Sequence, residues 1–192
     1  MAKTLLFAFL TVIFTSLNSL SIASELNIYS HRQPFLINPF LEVFTKETGI
    51  KTNVLYSTKG LAQRLKAEGE NSPADVVLTV DIGRLYIYAD MDLLAEIDSN
   101  VLDKNIPAHL KSSSNTWFGL SKRSRVIVVS ENKVGDGEIN RIEDLADPKW
   151  KGRVVIRKSN NIYNQSLVAS LIKNNGKKAT AEWAKGVVAN MA

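Results

Sequence analysis

Three β-rich runs alternate with three helix-like segments between residues 26 and 97, and this order restricts the possible folds more than any other feature. The runs LNIYS, IKTNVLYS and ADVVLTVD begin at positions 26, 50 and 74. Each is followed by apolar residues at helical spacing. The first of these helical segments is expected to start at Pro39, and Gly49 and Gly69 mark two helix ends. Because strands separated by helices pair in parallel, the pattern predicts an α/β fold with a parallel-rich sheet covered by helices.

The remaining residues continue this alternation. WFGLSKRSRVIVVS at 117–130 predicts one or two further strands, and RVVI at 153–156 predicts another. NQSLVASLIKNNG at 164–176 has helical spacing and ends in a glycine, and a further helix is expected from residue 177 onward. This last segment still carries apolar residues at positions 187 and 188, so we expect a chain truncated at its C-terminus.

The N-terminus has the pattern of an export signal. Lys3 precedes an apolar run from Leu5 to Phe14, and Ser21-Ile22-Ala23 closes the segment with small residues. The apolar run of about ten residues is too short for a bilayer, which needs roughly 20. We therefore expect a cleaved signal peptide at residues 1–23 and a periplasmic location. The chain has no cysteine, so the exported protein must fold by its core and not by disulfides.

Composition narrows the functional classes. The net charge of +5 comes from 24 basic and 19 acidic residues, and the two kinds are interspersed along the chain. Without aromatic residues interleaved among the basic ones, a solvated face or a small-anion cleft is favoured and no nucleic-acid partner is expected. The sequence also lacks a cysteine nucleophile, a Gly-x-Ser-x-Gly elbow, a His-Glu-x-x-His pair and a phosphate loop, so we expect no enzyme.

Two residues are candidates for ligand binding. His31 follows the first strand directly, at the end of the sheet where ligands bind in open parallel folds. From the residues alone it is a structural histidine, part of an anion pocket with Arg32, or a metal ligand. Tyr163 precedes a helix between polar neighbours, and it is either a packing residue at the helix start or a ligand.

The third helix-like segment has residues with structural interpretations. Asp81 precedes IGRLYIY directly and is expected to cap this helix, not to bind a metal. Tyr86 and Tyr88 lie on the same helix and are expected to be packing residues.

Five segments resemble, in this order, the periplasmic ferric-ion-binding proteins of iron ABC importers. They are IYSHRQPFLINPFLEVFTKETGIK, KGLAQRLKAEGENSPADVVLTVDIGRL, WFGLSKRSRVIV, DPKWKGRVVIR and NNIYNQSLVASLI, and they extend over nearly all of the chain after the signal peptide. The resemblance implies a two-lobed, transferrin-like type II periplasmic binding protein fold that binds one Fe(III) between its lobes. We expect the first α/β lobe at residues 24–125 and the start of an incomplete second lobe at residues 126–192.

The same resemblance implies roles for individual residues. His31 and Tyr163 would be metal ligands, and Fe(III) is a hard ion that prefers anionic oxygen donors and accepts imidazole. Arg32 and Arg123 would hold a synergistic anion such as carbonate, because a guanidinium matches paired oxygens. Arg125 would be a second helper or an ion-pair partner.

Two departures from the family pattern accompany these assignments. Some members have a glutamate ligand where this chain has Val80, and the substitution resembles the subgroup that uses a third tyrosine instead. The pair of adjacent tyrosines that supplies much of the coordination in the family does not occur in this sequence. We therefore expect the missing part of the second lobe to carry them.

The expected function is that of a monomeric periplasmic solute-binding protein that captures ferric iron and delivers it to an inner-membrane ABC permease. The alternative is a binding protein of the same fold for an anion or a polyamine. That alternative would need arginines or carboxylates in the cleft and no cluster of tyrosine ligands.

Overall fold

The computed structural model describes residues 25–192, so the predicted signal peptide at 1–23 lies outside the described residues. No helix within this range is long and apolar enough to cross a membrane. The range forms two compact units, one of residues 25–61 and 70–78 and the other of residues 62–69 and 79–192. The predicted division into lobes after residue 125 stays a prediction.

A three-stranded parallel sheet forms the centre of the first unit. Its strands are β1 (Glu25–Ser30), β2 (Lys51–Tyr56) and β3 (Val76–Leu78), in the order β2-β1-β3. Ile28 of β1 is in register with Val54 on one side and with Val76 on the other. Ile28 is buried by this central position. The α/β class with a parallel sheet, predicted from the three β-rich runs, is confirmed.

Helix α1 (Pro34–Thr48) connects β1 with β2. Pro34 occupies the first turn, where its fixed φ favours the helix and its missing N–H is not needed. Gly49 ends the helix with a φ of 75°, and its N–H bonds to the carbonyl of Thr45 at 2.8 Å. The sequence pattern placed the start at Pro39, and this boundary is wrong because Pro39 lies inside the helix.

Helices dominate the second unit. They are α2 (Leu61–Glu68, with Leu61 itself in the first unit), α3 (Ile82–Asp90), α4 (Asn100–Asn105) and α5 (Ile162–Ala189). Short 3₁₀ turns occur at Gly69–Asn71, Ala108–Leu110, Ile142–Ala146 and Pro148–Trp150. The core of this unit consists of five mutually packed side chains, Trp150, Val154, Leu171, Trp183 and Val187.

The strands predicted at 117–130 and 153–156 do not form in the described part of the chain. Phe118 makes an isolated antiparallel bridge with Lys111, and Val154 makes an isolated parallel bridge with Met191. A strand is stable when a neighbouring strand satisfies its backbone N–H and C=O groups, and no strand among residues 25–192 pairs with residues 121–130. The apolar pattern was present, but the pairing partner that it requires was not.

Helix α5 is interrupted at Gly176, where φ is 82° and ψ is 161°. Residues with a side chain rarely adopt this backbone conformation, so the glycine separates two helical halves. The prediction of one helix closed by Gly176 and another starting directly after it is confirmed. The first half begins beside Tyr163, and the second half contributes Trp183 and Val187 to the core.

Candidate metal centre

His31 lies at the carboxyl end of β1, in the central strand of the first unit. Its backbone N–H bonds to the carbonyl of Leu78 at 2.9 Å, and its ring Nδ1 is 2.7 Å from the carbonyl oxygen of Ser57. Because a carbonyl oxygen only accepts, Nδ1 donates the proton in this contact. A neutral histidine binds a metal in this form, with its other ring nitrogen held by a hydrogen bond. The predicted position of His31 at a strand end is confirmed.

Arg32 follows in a tight turn that Ser30 holds. The hydroxyl of Ser30 donates to the Arg32 carbonyl at 2.9 Å and accepts from the Arg32 N–H at 3.0 Å. Ser30 itself is fully buried. The guanidinium of Arg32 makes no hydrogen bond or ion pair with any residue from 25 to 192, so its donors remain available to a ligand.

Tyr163 is the second residue of α5 and belongs to the second unit. The side chain of Asn161 caps the helix by accepting a hydrogen bond from the Tyr163 N–H at 3.0 Å. Side chains in a helix lean toward its N-terminus, so the ring of Tyr163 projects from the beginning of α5. The ring is half-buried, and its hydroxyl has no hydrogen-bond partner within residues 25–192.

Two arginine side chains stack on the ring of Tyr163. The guanidinium carbon of Arg123 lies 4.6 Å from the ring centroid, and that of Arg157 lies 5.0 Å from it. Arg123 is fixed by a further bond, since its Nη2 donates to the carbonyl of Val80 at 2.9 Å. Both distances are within the range of cation–π interactions. The structure therefore brings together Tyr163 and Arg123, two of the four residues singled out in the sequence.

These residues line a cavity of about 1080 Å³ that is formed entirely by the second unit. Tyr163, Arg123 and Arg157 contribute to its wall. Four arginines and two lysines line the cavity, against the one carboxylate of Asp81, so the cavity attracts anions and repels a bare cation. A metal ion bound at the Tyr163 oxygen would therefore need an accompanying anion to offset this charge.

Arg157 was not predicted from the sequence. It lies six residues before Tyr163, and the side-chain amide of Asn164 holds it in place by donating to its carbonyl at 2.9 Å. The only local signal was the basic character of RVVIRK, which is common on solvated surfaces. Its contact with Tyr163 depends on how the segment before α5 folds back on the helix start.

Arg125 and Asp81 resolve two expectations. Asp81 caps α3 as its pattern predicts, because its Oδ1 accepts from the N–H of Gly83 at 3.0 Å. The guanidinium of Arg125 lies 3.8 Å from Oδ2 of Asp81. Of the two roles considered for Arg125, the structure supports that of an ion-pair partner.

Two further tyrosines of α3 were expected to be packing residues. Tyr88 is fully buried, and this burial raises its pKa to about 12. Tyr86 is different, since it is 64% exposed and its hydroxyl donates to Asp90 at 3.2 Å, so the expectation is wrong for this residue. No group of three or more His, Asp or Glu side chains suited to a metal ion occurs within residues 25–192.

The comparison with protein families matches residues 71–192 to the family described as bacterial extracellular solute-binding protein. This match extends over more than half of the chain. The chain belongs to the bacterial extracellular solute-binding proteins. Its described units therefore correspond to part of a solute-binding protein.

Known relatives of this solute-binding protein carry names connected with iron. "Iron uptake protein A1" of Synechocystis is 48% identical over 169 residues, which are 88% of this chain and 47% of that protein. The "Fe(3+)-binding periplasmic protein" of Serratia marcescens is 33% identical over 165 residues, or 85% of this chain and 48% of that protein. This solute-binding protein thus spans about half the length of the curated relatives that it matches.

A solved structure agrees with the fold. The Trichodesmium protein IdiA (FutA), solved in complex with iron and citrate ligands, superimposes with a TM-score of 0.79. It is 49% identical in sequence, and the match covers 88% of this solute-binding protein and 54% of the Trichodesmium chain. The α/β fold observed here is therefore that of the matched half of a structure solved with iron and citrate.

Proposed function

We propose that this protein captures ferric iron after export and delivers it to an inner-membrane ABC permease. The observation that carries the proposal is Tyr163, whose hydroxyl lacks a hydrogen-bond partner within residues 25–192 while two guanidinium groups flank its ring. The support from relatives is the 49% identity to a Trichodesmium protein solved with iron and citrate. Binding and delivery of the ion, and not catalysis, would be the activity.

Tyr163 and His31 are the ligands that we propose within this chain. Fe(III) is the substrate, and as a hard ion it prefers a tyrosinate oxygen, with an imidazole nitrogen as an acceptable partner. Coordination removes the phenolic proton of Tyr163, so binding of the ion releases protons and weakens in acid. The hydrogen bond from Nδ1 of His31 to the Ser57 carbonyl orients the imidazole, as a second hydrogen bond orients a metal-binding histidine.

Arg32 and Arg123 are the proposed contacts of a synergistic anion such as carbonate. The free donors of Arg32 fit paired oxygens, and the guanidinium of Arg123 is already held beside Tyr163. The positive charge around the tyrosine supports this proposal, because an anion would offset it when a cation binds. The citrate bound with iron in the Trichodesmium protein belongs to the same chemical class.

The signal peptide predicted at residues 1–23 leads us to propose that the protein is exported across the inner membrane. We infer a monomer in the periplasm, with a first lobe at 24–125 and a second lobe that begins at 126. The name of the Serratia relative, which is that of a periplasmic protein, supports the location.

A titration of the purified protein with ferric citrate tests the proposal. We expect a visible tyrosinate-to-iron absorption band that grows to saturation. Tyr163→Phe should abolish or shift the band, whereas Tyr86→Phe, on an exposed tyrosine of α3, should leave it unchanged. His31→Ala should weaken binding while the matched His109→Ala should not. A band that is the same in wild type and in Tyr163→Phe would remove Tyr163 from the site.

Anion binding without iron is the second candidate, and the guanidinium of Arg32 favours it because it has no ion-pair partner from residue 25 to residue 192. In that case the protein would stay colourless with ferric citrate. Calorimetry with phosphate or a phosphonate would then give heats that Arg32→Ala reduces.

A further inference from the structure

Asp81 connects three segments of the second unit through one carboxylate. Its Oδ1 accepts hydrogen bonds from the N–H of Gly83 and from the hydroxyl of Ser166. Its Oδ2 lies 3.8 Å from Nη2 of Arg125, and its side chain is only 11% exposed. Through these contacts the carboxylate of Asp81 holds the start of α3, the first turns of α5 and the side chain of Arg125 together.

The contact between Asp81 and Ser166 depends on a close approach of two helices. A Cβ atom at Gly83 would lie 3.0 Å from Oγ of Ser166 and 3.2 Å from Cδ1 of Ile162. Glycine at this position therefore lets the first turn of α3 meet the first turn of α5 at a distance that most side chains would not allow. Ser166 stands three positions after Tyr163, on the same side of α5.

Arg123 and Tyr163, which stack on each other, are held in place by two residues that are adjacent in the sequence, Val80 and Asp81. Val80 fixes Arg123 through its carbonyl, at 2.9 Å from Nη2. Asp81 fixes the turn of α5 that carries Tyr163, through the hydroxyl of Ser166. The separation of 4.6 Å between the Arg123 guanidinium and the Tyr163 ring is therefore set by residues 80 and 81.

We propose that Asp81 and Ser166 are positioning residues of the Tyr163 site. The proposal rests on the function proposed above for Tyr163, and it assigns a purpose to two residues that do not touch iron themselves. Loss of the Ser166 hydroxyl frees the first turn of α5 to move relative to Arg123. Tyr163 would then present its oxygen to the metal ion and its anion in a less favourable geometry.

A serine series on α5 provides the test. We expect Ser166→Ala to weaken ferric citrate binding about tenfold and to shift the tyrosinate-to-iron band, because it removes a hydrogen bond to a charged group. Ser166→Thr keeps the hydroxyl and should restore both properties. Ser170 lies one turn further along α5 in the wall of the same cavity, but its hydrogen bonds are with Asn174 and not with Asp81, so Ser170→Ala should behave as wild type. Asp81→Asn keeps an oxygen that can accept from both Gly83 and Ser166, so it should shift the band less than Ser166→Ala does.

A second readout does not depend on iron. In protein labelled with ¹³C-tyrosine, the ring signal of Tyr163 is identified by its loss in Tyr163→Phe. We expect Ser166→Ala to move this signal and Ser170→Ala to leave it in place. An unmoved signal together with wild-type iron binding in Ser166→Ala would overturn the positioning role. A wild-type protein that gives no iron band would overturn the proposed function, and the tyrosine signal would still decide the role of Ser166.

Discussion

The guanidinium of Arg123 lies over the ring of Tyr163 and at the same time donates to the main-chain carbonyl of Val80. One side chain therefore links a residue just before α3 with the first turn of α5. Because the two ends of this link are fixed, the charge of Arg123 has a defined position beside the phenol. Substitution of Arg123 therefore tests the role in anion binding that is proposed for it.

Arg123→Ala should weaken ferric citrate binding about tenfold, because it removes both the stacked cation and a donor for the accompanying anion. The affinity of Arg123→Lys should lie between those of wild type and Arg123→Ala, since an ammonium keeps the charge but not the planar set of donors. Titration of the visible band measures both. Arg64→Ala is the matched control, as Arg64 pairs with Glu68 on an exposed helix surface. Equal affinity of wild type and Arg123→Ala would argue against an anion at this residue.

The lowered pKa of Glu143 predicts that the stability of the fold decreases in acid. The hydrogen bond from Arg141, and then that from Asn175, lower the pKa of Glu143 from 4.5 to about 2. Since the folded pKa is below the unfolded one, the stabilisation is present above pH 4.5 and is lost as the pH falls toward 2.

Melting temperatures between pH 7 and pH 2 test this dependence. Glu143→Gln should melt slightly below wild type at pH 7, because the ion pair with Arg141 is partly exposed and contributes little. The difference should shrink as the pH approaches 2. Glu182→Gln, in an exposed pair with Lys185, serves as the control. A constant difference from pH 7 to pH 2 would contradict the assignment.

Two adjacent valines near the end of α5 give a matched pair for the core. Val187 is 3% exposed and packs with Trp183, whereas Val188 is 67% exposed. Val187→Ala should lower the free energy of unfolding by about 2 kcal/mol through the lost methyl groups and the cavity that remains. Val188→Ala should change it by less than about 0.5 kcal/mol. Urea unfolding of both variants measures the difference, and similar values would show that α5 packs in another way.

Asn190 ends α5 with a buried amide. Its Nδ2 donates to the carbonyls of Leu145 and Asp147 at 3.0 and 2.7 Å, and the residue is 2% exposed. Asn190→Ala would leave both carbonyls without this donor and should cost about 2–3 kcal/mol of unfolding free energy. Asn105→Ala, which removes an exposed amide bond to Val101, should cost much less in the same urea experiment. Equal costs would contradict the structural importance of Asn190.

Local patterns predicted the features that depend on neighbouring residues. The alternation of LNIYS placed His31 at a strand end, and the position of Asp81 before an apolar helix predicted its cap. Gly176 was recognised as a helix end because a glycine at this place in the pattern supplies a backbone conformation that other residues avoid. Each of these signals lies within a few residues of the feature that it predicts.

Contacts between distant residues were not predictable in the same way. Ser166 and Asp81 are 85 positions apart, and nothing in either local pattern indicates their hydrogen bond. The segment at 117–130 matched a strand pattern, but strand formation depends on a neighbouring chain segment that this pattern does not encode. The roles of Tyr163 and Arg123 came from resemblance, and the structure adds the direct contact between them.

The hydrogen bonds around His31 have a consequence for the thermodynamics of ligand capture. Its backbone is tied to β3 through Leu78, and its ring is tied to the chain after β2 through Ser57. The rotamer of the imidazole is therefore restricted before any ligand arrives, and little conformational entropy remains to be lost on binding. Folding of the parallel sheet thus orders this side chain in advance, and a ligand that bound His31 in the proposed role would lose less affinity to the ordering of the ring.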